Sequence, residues 1–186
     1  MHTIIRPLLE TDFNDVIQLG NRVHGEGYLD VDSLKKIQQL AFSDGVSANY
    51  VAVINQEIVG FRLTYAAGQW PLDKWCTPAR WPFAANKMCY FKCNTVDESV
   101  RGKGIGKQLL NASIEAAKKQ GALGGVSHLW QESPNNSAVG YFTSAGGKLI
   151  KKHPKRWNNT PDHPDYLCVI CGKDCHCSAC EMVLVF

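Results

Sequence analysis

The chain has 186 residues, 45% hydrophobic and 20% charged, which suits one α/β globule with a sizeable core. Its net charge of +3 is too small to argue for a nucleic-acid partner, and no apolar run approaches the ~20 residues that span a bilayer. The N-terminus, Met1-His-Thr-Ile-Ile-Arg6, enters a strand-like segment without a signal-peptide pattern, so a cytoplasmic protein is expected. In that compartment the eight cysteines read as thiols or metal ligands rather than disulfides.

Thr3 to Pro7 reads as a short strand. Thr11 can cap a helix whose apolar face is Phe13, Val16, Ile17, Gly20 and Val23, and Asp32 can cap a second with Leu34, Ile37, Leu40 and Ala41 inward. Tyr50 to Ile54 and Glu57 to Tyr65 read as a β-hairpin about Asn55-Gln56. A fourth strand, Tyr90 to Val96, leads into a glycine-rich loop. A third helix runs from about Gly104 to Gln120 and stops at Gly121. Val126 to Trp130 is a fifth strand and Asn136 to Ala145 a fourth helix. Lys148 to Lys152 and Met182 to Phe186 can close the sheet. No internal repeat interrupts this order, and residues 1–186 read as a single domain.

Two segments stand outside it. Residues 67–87 hold Trp70, Trp75, Trp81 and Phe83, a long connection of the kind that is more often functional than idle. Those aromatic rings can pack the loop down as a lid, or wall an acceptor site and hold an ammonium group by cation–π attraction. Lys151 to Cys180 is basic at first and then cysteine-rich.

The loop itself, Arg101-Gly-Lys-Gly104-Ile-Gly106-Lys107, lies between a strand and a helix start. Glycines let the backbone approach an anion closely, and the free amides of a first helical turn point at it. A Walker loop is excluded, because Arg101 stands five residues before Gly106 and Gln108 follows Lys107. A dinucleotide fingerprint is excluded, because the third glycine comes one residue early.

The remaining pattern, Arg101-x-x-Gly104-x-Gly106 preceded by Val96, Glu98 and Val100, resembles the acyl-CoA motif of the GNAT superfamily of N-acyltransferases. Downstream, Asn135, Ala138 and Gly146 match a second motif of that family. Phe142 stands where the family usually has Tyr, and Gly147 where it usually has Phe. The βααβββαβαββ order matches too. The resemblance implies an α/β (α+β) fold with a mixed, mostly antiparallel sheet flanked by helices. It also implies acetyl-CoA as cosubstrate and direct transfer to a primary amine of a small molecule or peptide. It assigns the pyrophosphate to Arg101, Gly102, Lys103, Gly104, Ile105, Gly106 and Lys107, the pantetheine arm to Val96 and Phe142, and the far side to Asn135 and Ala138. The family's Tyr is credited with protonating the departing thiolate. Phe142 cannot, and Tyr141 beside it points about 100° away on a helix.

An amine near pKa ~10 needs to lose a proton before it attacks. Glu132 after the fifth strand, Glu98 at the loop mouth and His128 on the fifth strand are candidate bases. Their plainer readings are solvated loop carboxylates and a hydrogen-bonded core histidine, as Cys89 and Cys93 are plain core fillers.

Five cysteines fall between Cys168 and Cys180, too dense for core filling. Cys168-x2-Cys171 and Cys177-x2-Cys180 suit tetrahedral thiolate coordination of a structural zinc ion, with Cys175 or His176 able to replace one member. Reduced thiols, or a disulfide formed on oxidation, are the plain alternative. Two further functions compete with transfer: a coenzyme A-binding sensor or adaptor without turnover, and a zinc-module interaction protein. A homodimer is compatible with the sequence, which does not name the acceptor.

Overall fold

The computed structural model describes residues 2–158 and 164–186; of the segment Lys151 to Cys180, residues 159–163 lie outside the described ones. The elements run β1 (Ile4–Pro7), α1 (Phe13–His24), α2 (Val31–Leu40), β2 (Phe42–Ser43), β3 (Val46–Ser47), β4 (Tyr50–Ile54) and β5 (Glu57–Tyr65). They continue with β6 (Met88–Val96), α3 (Ile105–Lys119), β7 (Gly124–Trp130), α4 (Ser137–Ser144), β8 (Lys148–Pro154) and β9 (Ser178–Val185). Seven strands form one sheet in the order β1-β4-β5-β6-β7-β9-β8, and β2 and β3 form a separate small pair. Every neighbour in the main sheet is antiparallel except β6 and β7. This is the mixed, mostly antiparallel architecture expected from the sequence.

Strand alternation sends side chains to two covered faces. Val51, Phe61 and Leu63 pack under α1 and α2 against Phe13, Val16, Leu19, Leu34 and Ile37. Ala52 and Ile54 meet Ile105 and Leu109 of α3 on the other face, and Phe91 meets Leu110 and Phe142 there. The aromatic insertion extends the first face over β6, β7 and β9, where Trp81 packs with Met88, Tyr90, Val126 and Val183. It is fastened at both ends. The Trp70 indole N–H donates to Met88 O at 2.8 Å. The fully buried Glu181 carboxylate accepts from Thr77 N at 2.8 Å, Thr77 Oγ1 at 2.7 Å and Trp81 Nε1 at 2.8 Å. The insertion is thus a packed cover.

Two helix starts differ from the sequence reading. Asp30, not Asp32, caps α2: its carboxylate accepts from Ser33 N at 2.7 Å while Ser33 Oγ accepts from Asp30 N at 3.0 Å. Thr11 lies in a 3-10 turn, Glu10–Asp12, that precedes α1. The hidden signal was the reciprocal pair at i and i+3, which satisfies two otherwise free groups at once. Among the described residues, no helix is long and apolar enough to cross a membrane.

Candidate active site

The parallel pair β6–β7 lasts only from Met88↔Gly124 to Tyr90↔Val126. Beyond it the strands part. A bulge between β5 and β6 helps: Leu63 faces Cys93 and Thr64 faces Phe91, which makes Lys92 the extra residue of β6. A bulge bends its strand and re-aims the side chains that follow. The gap is a cleft of about 550 Å³ that passes through the sheet. Residues of the α3/α4 face line one end and residues of the α1 face line the other.

At the α3/α4 end lies the glycine loop. Gly104 is the residue before α3, with φ 76°, a left-handed conformation that glycine adopts without strain. Gln108 N–H bonds Gly104 O at 3.1 Å. The amides of the helical turn before it have no partner four residues back, which is the general condition of a helix start. No atom lies within 4 Å of where a Cβ would stand at Gly102 or Gly104. Open space, unbonded amides and the cations Arg101 and Lys107 together suit a pyrophosphate. Val96, Arg101, Gly102, Gly104, Ile105, Gly106, Lys107 and Ala138 line the cleft; Lys103 and Asn135 are exposed and do not. Asn135 and Asn136, at φ 55° and 52°, form the turn into α4 instead. There Ser133 supplies the cap, its hydroxyl accepting from Ala138 N at 3.0 Å.

That turn sets the phase of α4. Phe142 is fully buried against Phe91, ring centroids 5.8 Å apart, and does not reach the cleft, contrary to the sequence assignment. A Cβ at Gly147 would lie 2.4 Å from the Phe142 ring, so that ring occupies the space a side chain at 147 would need. Tyr141 lines the cleft instead. Its hydroxyl oxygen accepts from Arg62 Nη1 at 2.6 Å, and the Arg62 guanidinium lies 4.5 Å over the Phe91 ring. With the oxygen accepting from a cation, the Tyr141 proton remains available to the cleft.

At the α1 end the walls are His24, Tyr28, Tyr90, His128, Trp130 and Tyr166. His24 Nε2 lies 2.8 Å from Thr95 Oγ1, and its ring stacks on Tyr28 at 4.2 Å. Burial, and then the positive charges of Arg101 and Lys92, pull its pKa down to about 4, so the ring is neutral near pH 7. His128 is also held near 4, by burial first and then by Arg156. Its Nε2 faces Trp75 O at 2.7 Å, and a carbonyl can only accept, so Nε2 carries the hydrogen and Nδ1 accepts from Tyr90 OH at 2.9 Å. Both nitrogens of this cleft-lining histidine are thus engaged. Glu98 and Glu132 are exposed and do not line the cleft; Glu132 accepts from Ser178 N at 2.9 Å. Asp73 is the one carboxylate among the described lining residues, and it pairs with Arg156 at 3.4 Å.

The cysteines resolve differently from the expected set. Sγ atoms of Cys168, Cys171, Cys175 and Cys177 lie within 4.8 Å of one another. Cys180 is excluded because it sits in β9 facing the Leu129–Met182 core, its thiol donating to Gln131 Oε1 at 3.6 Å. Sequence reasoning also missed His24 and Tyr141. The only signal for Tyr141 was its adjacency to a motif position, and His24 carried none.

Residues 13–146 match the family model described as acetyltransferase (GNAT) family. No curated protein sequence matches the chain. Among solved structures it is similar to Ard1 from Thermoplasma volcanium, at 14% identity and TM-score 0.70 over 100% of this chain and 98% of that one. It is similar also to the ribosomal-protein-S18-alanine N-acetyltransferase from Escherichia coli, at 15% identity and TM-score 0.67 over 99% and 94%. A third is yncA, a putative acetyltransferase from Salmonella typhimurium determined with its cofactor acetyl-CoA, at 16% identity and TM-score 0.68 over 98% and 93%. These likenesses carry the fold, and the family model spans well over half of the chain: it belongs to the acetyltransferase (GNAT) family.

Proposed function

We propose that this protein transfers acetyl from acetyl-CoA to a primary amine of a small molecule or peptide, by direct attack in a ternary complex. One observation carries the reading: the cleft passes through the sheet, joining an anion cradle on one face to an aromatic chamber on the other. A thioester entering from the α3/α4 side and an amine entering from the α1 side would meet where β6 and β7 part.

The reaction then needs four movements. The amine nitrogen attacks the thioester carbonyl carbon. The nitrogen gives up a proton, and neutral His24 is the imidazole on the amine side to receive it. The C–S bond breaks as the tetrahedral intermediate collapses. The thiolate takes the Tyr141 proton, and the buried Arg62 cation, bonded to that oxygen, stabilises the charge left behind. A binder without turnover rests on two grounds, Phe142 at the motif position and the lack of an assigned base; Tyr141 and His24 on the cleft wall favour transfer over it. The test is release of free coenzyme A thiol from acetyl-CoA with a panel of small amines and short peptides. Amine-dependent release with acetylated product supports transfer; tight acetyl-CoA binding without product from any amine supports the binder.

A further inference from the structure

The segment after β8 carries a second centre. Cys168, Cys175 and Cys177 are buried, with Trp130, Trp157, Tyr166 and Cys171 packed around them. Their sulfurs are not joined as disulfides. Cys168 Sγ and Cys177 Sγ are 3.8 Å apart, and Cys171 Sγ and Cys177 Sγ 3.6 Å. A zinc ion with four Zn–S bonds of ~2.3 Å has tetrahedral edges of about 3.8 Å, whereas a disulfide brings two sulfurs to ~2.05 Å. These two edges match a coordination shell rather than a disulfide, and all four sulfurs lie within 4.8 Å of one another.

The backbone supports the same reading. Cys168 N donates to Gly172 O at 3.1 Å and Gly172 N donates to Cys168 O at 2.8 Å, closing a tight turn about Cys168-Val-Ile-Cys171-Gly172. The other buried trio, His128, His153 and Glu181, lacks this character. Both nitrogens of His128 are engaged, and Glu181 is filled by Thr77, Trp81 and His153.

The cysteine loop also touches the α1 end of the cleft. Tyr166 OH donates to His24 O at 3.0 Å, and Leu167 N to Glu26 O at 3.1 Å. A Cβ on Gly25 would lie 1.9 Å from Leu167 O, so the loop seats directly on the backbone after α1. Tyr166, Cys168, Cys175 and Cys177 line the cleft beside His24 and Tyr28.

We infer that Cys168, Cys171, Cys175 and Cys177 bind one structural zinc ion, and that the loop it ties forms the wall of the acceptor chamber. Four thiolates leave no open position on the metal, so the ion shapes the chamber and takes no part in the chemistry. The zinc site stands by itself; its role at the acceptor chamber rests on the acetyl-transfer reading.

Metal analysis of the full chain, purified under reducing conditions without added zinc, tests the site. About one zinc per chain is expected, falling to background in Cys175→Ser and staying at one in Cys180→Ser. A folded wild-type chain free of zinc, iron in its place, or loss of zinc in Cys180→Ser with retention in Cys175→Ser would overturn it. Acetyl-CoA titration and amine kinetics of Cys175→Ser test the wall: coenzyme affinity within twofold of wild type, with the amine KM raised at least tenfold. An unchanged amine KM in the zinc-free variant would overturn the wall while leaving transfer intact. Absence of turnover in zinc-loaded wild type would instead count against the transfer reading.

Discussion

The Arg62 guanidinium donates to the Tyr141 hydroxyl at 2.6 Å, joining the middle of β5 to α4 on the α3/α4 face of the cleft. Arg62 is 1% exposed, and Tyr141 is its one side-chain hydrogen-bond acceptor among the described bonds. A buried cation is costly to hold, and here it is directed at a hydroxyl on the cleft wall.

Tyr141→Phe removes the proton donor while keeping the ring. The expected outcome is a fall in kcat of about 10²-fold, within the range usual for general acid catalysis, with acetyl-CoA affinity nearly unchanged. Adding Phe142→Tyr should not restore the rate, because position 142 is sealed in the core. Steady-state kinetics of the single and double variants decide it, and an undiminished kcat in Tyr141→Phe would remove Tyr141 from the chemistry.

Gly147 and Phe142 share one volume, since a Cβ at 147 would stand 2.4 Å from the ring and 2.8 Å from Phe142 O. Gly147→Ala should destabilise the fold by about 1–3 kcal/mol, the usual cost of overpacking. Trimming the ring in Gly147→Ala with Phe142→Leu should recover part of that loss, a non-additivity expected of residues in contact. Denaturant midpoints of the four proteins check it.

The fold was legible because period-two and period-3.6 patterns both appear, and the glycine loop was legible because few residue types serve an anion cradle. The side-chain phase at the site was not. Tyr141 and Phe142 are adjacent, and which one reaches the cleft depends on two left-handed asparagines, Asn135 and Asn136, that no periodicity reveals. His24 ends an ordinary amphipathic helix and becomes a wall residue only because Thr95 and Tyr28 meet it across the fold. The cysteine set shows the same limit. Spacing favoured two Cys-x2-Cys pairs, but Cys180 already belongs to β9, and strand alternation turns it into the core.

Stability should fall as pH falls from about 6.5 to 4. His24 and His128 have folded pKa values of about 4 against the ordinary 6.5 of histidine, so in this window the unfolded chain binds protons that the folded one refuses. Stability therefore rises with pH there, at most by about 1.4 kcal/mol per pH unit for each histidine, and levels off above the unfolded value. His128→Gln should flatten the slope by up to half of the combined effect. Unfolding midpoints from pH 4 to 8 test this, and a slope unaltered by the substitution would contradict the assigned shift.

The glycine loop at 101–106 should hold the pyrophosphate of acetyl-CoA at the mouth of the cleft. Calorimetric titration of acetyl-CoA into wild type and Gly104→Val measures that contact. A β-branched side chain at φ 76° is strained and fills the open space before the amides. Binding of about one equivalent to wild type is expected, with at least a hundredfold weaker binding to a Gly104→Val protein that still unfolds cooperatively. Equal affinity in the two folded proteins would contradict it.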